Sequence, residues 1–195
     1  AGQVVADFVV SEPVSVVLDF QLMRKGETVQ FMTAFAERLY HKNRNPLHLF
    51  VDEADAVAPQ RPMPGEQRLL GAMEDIVRRG RSRGLGCTLI SQRAACLSKN
   101  VLTQAEFLVS HRTIGPQDRK AIDAWIEVHG TEEQRREFHD SIASLPTGTA
   151  WFWSPGRSLR RSRCGPGTPS TVQQLRSPER SACHPRKSRR WTWTP

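Results

Sequence analysis

Apolar and polar positions alternate along this chain in blocks that predict strands interleaved with helices. Residues 14–20 are rich in β-branched side chains and end near Asp19, which predicts a buried strand. From 27 to 41, apolar residues recur at Val29, Phe31, Met32, Phe35, Ala36 and Leu39, a helical stripe. Leu47 to Val51 is a short apolar run between Asn45-Pro46 and the acidic pair Asp52-Glu53, and predicts a strand buried on both faces with His48 as a core residue. A Pro-rich loop over 59–65 leads into a predicted helix over about 66–79, with Leu69, Leu70, Met73, Ile76 and Val77 facing inward. Further strands are expected at 87–91, 107–110 and 149–153, and further helices at 117–126 and 132–142. Trp125 and Trp151-Phe152-Trp153 are expected to fill packing between sheet and helices. The alternation implies βαβ units, hence an α/β fold with a mostly parallel sheet flanked by helices.

Composition then divides the chain. The formal net charge of +8 suggests a nucleic-acid partner, but residues 1–155 carry 18 Lys+Arg against 19 Asp+Glu, whereas residues 156–195 carry 10 against 1. All the basicity lies in the tail. That segment is dense in Arg, Ser, Pro and Gly without periodicity, so 156–195 is expected to be a disordered basic tail beside a folded unit over 1–155. Two explanations for it compete. One is a basic arm that binds nucleic acid or a membrane surface. The other is translation out of frame: back-translating 167–176 and starting each codon on its third base permits Asp-Thr-Phe-Asp-Ser-Ser-Ala-Thr-Pro, an ordinary soluble sequence. The second is the preferred hypothesis, and ribosome coverage of 160–195 in the present frame would refute it. The apolar run 4–17 is broken by Asp7, Glu12 and Pro13, so it is neither a secretory signal nor a membrane span, and a cytoplasmic location is the default. Cys87, Cys96, Cys164 and Cys183 show no CxxC spacing, which argues against a zinc site and fits a reducing compartment.

The candidate chemistry sits at strand ends. In open parallel sheets, ligands bind at the carboxyl ends of the strands. Asp52 would emerge there with an oxygen for a nucleotide-bound magnesium ion, and Glu53 would orient or deprotonate an attacking water. The same residues also fit a strand that ends in a solvated acidic turn. Gln92, in Ser91-Gln92-Arg93 after the next strand, has an amide able to bond both a γ-phosphate oxygen and that water; a merely polar turn is the alternative. Arg78, Arg79, Arg81 and Arg83 crowd the end of the preceding helix. Complementing a helix dipole explains one or two of them; four in six positions suggest a surface for anions, one serving as an arginine finger. His111-Arg112-Thr113 leads through Gly115-Pro116 into a helix that Gln117 or Asp118 is expected to cap.

In combination, Leu-Phe-Val-Asp-Glu-Ala-Asp, the Arg-Arg-Gly-Arg-Ser-Arg-Gly approach, Thr-Leu-Ile-Ser-Gln-Arg and Thr-Ile-Gly-Pro-Gln-Asp-Arg-Lys-Ala-Ile resemble the C-terminal half of HerA/FtsK-type ATPases, and within them HerA-like bacterial ATP-binding proteins. The resemblance runs over about 14–155. It implies a RecA-like P-loop NTPase core, ATP and Mg2+ as cofactors, and hydrolysis between subunits of a homo-oligomeric ring, usually a hexamer, coupled to movement of DNA. By it, Leu47–Val51 and Asp52 form a Walker B strand with Asp52 for magnesium, Glu53 for water and Gln92 for the γ-phosphate, and an arginine such as Arg81 or Arg83 serves the neighbour's site. One departure stands out: no GxxxxGK[ST] loop occurs in the chain. The loop is expected ahead of Ala1, and the polypeptide alone is expected to bind ATP weakly without hydrolysing it. Two other readings are a secretion or conjugation ATPase, and a non-catalytic nucleic-acid-binding protein acting through its tail.

Overall fold

A computed structural model describes residues 1–154 and the strand 157–163. Five strands and six helices are defined: α1 (Gly2–Ser11), α2 (Lys25–Lys42), β1 (Leu47–Val51), α3 (Gln67–Arg79), β2 (Leu85–Leu89), α4 (Lys99–Leu102), β3 (Leu108–His111), α5 (Pro116–His129), α6 (Glu132–Ser141), β4 (Thr149–Ser154) and β5 (Arg157–Arg163). The expected α/β architecture is present, and among the described residues parallel pairing is confined to one pair of strands. β1 and β2 run parallel, with Leu47 opposite Leu85 and Val51 opposite Leu89. β3, β4 and β5 form a separate antiparallel sheet in that order.

Two apolar cores hold these parts. The first gathers Met32, Phe35, Ala36 and Leu39 of α2, Leu69, Ala72, Met73 and Ile76 of α3, and the inward face of β1 and β2. The stripe at 69, 72, 73 and 76 has the i, i+3, i+4, i+7 spacing that gives a helix one buried face. The second gathers Ile122, Trp125 and Ile126 of α5, Phe138 of α6, and Trp151 and Trp153 of β4. The tryptophans therefore pack as expected, with Trp125 edge-on to Trp153 at 6.0 Å. Cys87 also behaves as a small apolar residue against the first core, and burial pushes its thiol up to about 11.

Several expectations are corrected. Residues 14–20 form no strand; they run as irregular chain between α1 and α2. β-branched composition suits a strand only where a partner supplies ladder hydrogen bonds, and among the described residues no strand pairs with this segment. The apolar residues before it form α1 instead, held by tertiary packing: Gly2 and Ala6 are buried on α2, and a Cβ on Gly2 would clash with the Phe31 carbonyl oxygen. β1 is covered on one face, not two. Leu47, Leu49 and Val51 turn inward, whereas His48 is exposed and Phe50 is 74% exposed. His48 is thus no core residue; its Nε2 lies 2.8 Å from the Thr88 hydroxyl and its ring 4.8 Å from that of Phe50. Within the segment expected to be the tail, Arg157–Arg163 pairs antiparallel with β4, and a strand ladder is built from backbone groups that require no apolar composition. The rest of the expected tail, 164–195, lies outside the described residues.

Candidate functional site

The parallel register of β1 and β2 brings two strand ends together. At the end of β1 the chain reverses through Glu53, whose φ of 50° makes it the only non-glycine residue with positive φ among the described residues. A left-handed conformation costs roughly 1–2 kcal/mol in a residue with a Cβ. Local bonds offset it. The Glu53 N–H donates to Asp52 Oδ1 at 3.0 Å. The Ile90 N–H donates to the Val51 carbonyl, and the Ala54 N–H to the Ile90 carbonyl, both at 2.9 Å. These bonds lace the loop after β1 to the loop after β2.

Across the laced loops, Gln92 Nε2 donates to Glu53 Oε1 at 2.9 Å. Asp52, Glu53 and Gln92 are all exposed, so the carboxylates and the amide face solvent at the carboxyl edge of the strand pair. Residues 39 apart in sequence thus share one site. Among the described residues, no group of three His, Cys, Asp or Glu side chains is placed to hold a metal by itself. A single exposed carboxylate, with one oxygen bonded to Glu53 N–H, suits magnesium, which keeps several waters and takes its other ligands from phosphates.

Arg81 and Arg83 are not part of this cluster. They precede β2 and so lie at the amino edge, about 13 Å from the carboxyl edge for five extended residues. The two differ. Arg83 is engaged: its guanidinium sits 4.5 Å above the Tyr40 ring, and Nη1 donates to the His41 carbonyl at 3.3 Å. The Arg81 side chain is 94% exposed, with one loose ion pair to Glu106 at 3.8 Å. Buried Asn43 fixes the base of their turn, its Nδ2 donating to the carbonyls of Asn45 at 2.6 Å and Arg83 at 2.7 Å.

Two residues escaped sequence reasoning. Ser91 Oγ donates to Asp55 Oδ1 at 2.6 Å and accepts from the Arg93 N–H at 3.0 Å. The available signal was their placement: both are polar residues in the loops that follow two strands expected to be parallel, Ser91 two residues and Asp55 four residues past the strand end. Asp118 also differs from expectation. It does not cap its own helix; its Oδ1 accepts from the Ala95 N–H at 2.9 Å and ties α5 to the loop after β2.

A family model described as helicase HerA-like C-terminal matches residues 39–177. The chain is 28% identical over 127 residues to the DNA double-strand break repair helicase HerA of Pyrococcus furiosus, covering 65% of this chain and 21% of that protein. It is 31% identical over 114 residues to the probable DNA double-strand break repair helicase HerA of Methanocaldococcus jannaschii, covering 58% of this chain and 21% of that protein. The chain therefore spans about a fifth of the length of these curated relatives. Among solved structures, the genome packaging NTPase B204 from Sulfolobus turreted icosahedral virus 2 in complex with ATP-gammaS superposes with a TM-score of 0.54 at 19% identity, over 81% of this chain and 70% of that one. Its complex with sulfate gives 0.57 at 18% identity over the same shares. At that identity the likeness concerns the fold alone, an α/β core.

Proposed function

Since the chain belongs to the helicase HerA-like C-terminal family, we propose that it contributes the strand-end half of an ATP-hydrolysing site in a protein that moves along or unwinds DNA. The observation that carries this reading is the pairing of Glu53 with Gln92 at 2.9 Å, beside the exposed Asp52, on the carboxyl edge of a parallel strand pair. Glu53 orients the attacking water and takes its proton; its left-handed backbone turns the carboxylate to the edge where the water arrives. Gln92, bonded to that carboxylate, presents its remaining amide groups to the γ-phosphate and the water. Asp52, the end of a Walker B strand in this reading, holds magnesium, which when bound neutralises charge on the phosphates. The polymer is DNA by likeness to relatives named as DNA repair helicases, and the assembly is a homo-oligomeric ring, a hexamer by the family resemblance.

No GxxxxGK[ST] occurs in the 195 residues, so in this reading they do not themselves supply the backbone cradle and lysine for the phosphates. The isolated chain is expected to show no ATP turnover above background. Joined to a phosphate-loop segment of a HerA-like relative, it is expected to hydrolyse ATP, with Glu53→Gln lowering kcat by about 100-fold or more at similar KM. Phosphate-release assays check both. Turnover that survives Glu53→Gln would refute the assigned base.

A further inference from the structure

From the hydrogen bonds that surround Gln92, we infer that Asp55 is a positioning residue: acting through the Ser91 hydroxyl, it sets the loop after β2 so that the Gln92 amide reaches Glu53. The relevance of this to turnover rests on the function proposed above. The geometry does not.

Gln92 is exposed, and a solvated glutamine ordinarily samples many rotamers. Something must hold its backbone for one rotamer to prevail. The chain on either side is held from two directions. Before it, the Ile90 N–H and carbonyl are both engaged by the β1 turn, with Val51 and Ala54. After it, the Arg93 N–H is engaged by Ser91 Oγ, closing a tight turn around Gln92 itself. The Ser91 hydroxyl can accept from Arg93 in that direction because its own proton is directed at Asp55 Oδ1, 2.6 Å away. Such a short O–H···O contact is typical of a carboxylate acceptor, the stronger class of hydrogen bond. Asp55 is thereby the fixed point of the relay Asp55, Ser91, Arg93 N–H.

Asp55 is itself well anchored. It lies in a 3-10 turn, Ala54–Ala56, which begins at the left-handed Glu53 and contains the fully buried Ala54. Beyond that turn the two loops are bonded again, the Gln60 N–H to the Cys96 carbonyl at 2.7 Å and the Ser98 N–H to the Ala58 carbonyl at 2.8 Å. The Asp55 to Ser91 bond is the link in this lacing that lies next to the Glu53 and Gln92 pair. Glu53 and Asp55 therefore divide the work of one short acidic turn: the first meets the Gln92 side chain, the second shapes the Gln92 backbone.

The test uses the chain as it is, labelled with 15N, and follows the Gln92 side-chain amide signals, assigned by their loss in Gln92→Ala. In the parent chain, Glu53→Gln is expected to move these signals, because it replaces the carboxylate that accepts them. In Ser91→Ala and Asp55→Ala, the paired population is expected to fall about tenfold, and Glu53→Gln should then move the signals little or not at all. Ser91→Thr keeps the hydroxyl and Asp55→Asn keeps an acceptor oxygen, so both are expected to retain the parent response and to serve if an alanine variant fails to fold. A full response to Glu53→Gln in a folded Ser91→Ala or Asp55→Ala chain would overturn the positioning role alone. No response in the parent chain would overturn it together with the Glu53–Gln92 pairing that carries the proposed function.

Discussion

Gly84 shows how a single residue sets the start of the site. Its φ is 74°, and a Cβ there would stand 2.6 Å from the Asn45 carbonyl oxygen and 2.9 Å from its carbon. Both the backbone conformation and the close approach therefore require glycine. The turn it forms begins both strands in register, since the Leu47 N–H donates to the Gly84 carbonyl at 2.9 Å while Asn43 clamps the carbonyls of Asn45 and Arg83. Gly84→Ala is expected to lower unfolding stability by roughly 1–3 kcal/mol, and more if the Asn45 segment cannot yield. Urea unfolding followed by tryptophan fluorescence measures it; a change within error would mean that the turn relaxes freely. At this scale the position of Asp52, Glu53 and Gln92 after two parallel strands was legible for one reason: the apolar runs mark where those strands end. The sequence marked Asp55 and Ser91 only as polar residues after strand ends and did not join them, because a hydrogen bond between residues 36 apart depends on which strands are neighbours and in what register.

Between elements, α2 and α3 are joined at their starts by Lys25 and Glu66, whose charged groups lie 2.6 Å apart with the Glu66 side chain only 8% exposed. The Lys25 ammonium, and after it the Met63 N–H at 2.8 Å, hold the Glu66 carboxyl below its ordinary 4.5. A carboxyl lowered by folding stabilises the native state above its unfolded value and loses that contribution as pH falls through its folded one. Stability is therefore expected to drop below about pH 4.5, and Glu66→Gln should flatten this part of the acid limb while lowering stability at pH 7. Urea midpoints from pH 7 to 3 test the slope; an unchanged slope in the variant would assign it to other carboxylates, such as Asp123 beneath Arg135. The elements themselves were legible where an amphipathic period ran long, as in α2, α3 and α5, or where turn residues bracketed an apolar run, as in β1. They were illegible where pairing decided the outcome. Residues 14–20 have strand composition but no strand partner among the described residues, while Arg157–Arg163 has no apolar signal and pairs with β4.

Across the whole molecule, the decisive geometry is that the two halves of the expected site residues lie on opposite edges of one strand pair. Asp52, Glu53 and Gln92 occupy the carboxyl edge; Arg81 and Arg83 occupy the amino edge, about 13 Å away along the strands. An arginine reaches roughly 6–7 Å from its Cα, so neither can serve the site of its own chain. If either acts on a phosphate, it acts on that of a neighbouring subunit. Arg81 is the better candidate, being almost fully exposed, whereas Arg83 is committed to Tyr40 and His41. In a phosphate-loop-containing assembly, Arg81→Ala and Glu53→Gln should each abolish most turnover when present in every subunit. Mixed before assembly, the two should recover activity, because an Arg81→Ala subunit keeps an intact Glu53 site and a Glu53→Gln neighbour still offers Arg81. Recovery above both parents, read by phosphate release against mixing ratio, is the expected result, and a mixture no better than its parents would place Arg81 outside the reaction. Arg83→Ala should instead lower thermal stability, since it removes packing on α2, and should give no recovery on mixing beyond that of dilution.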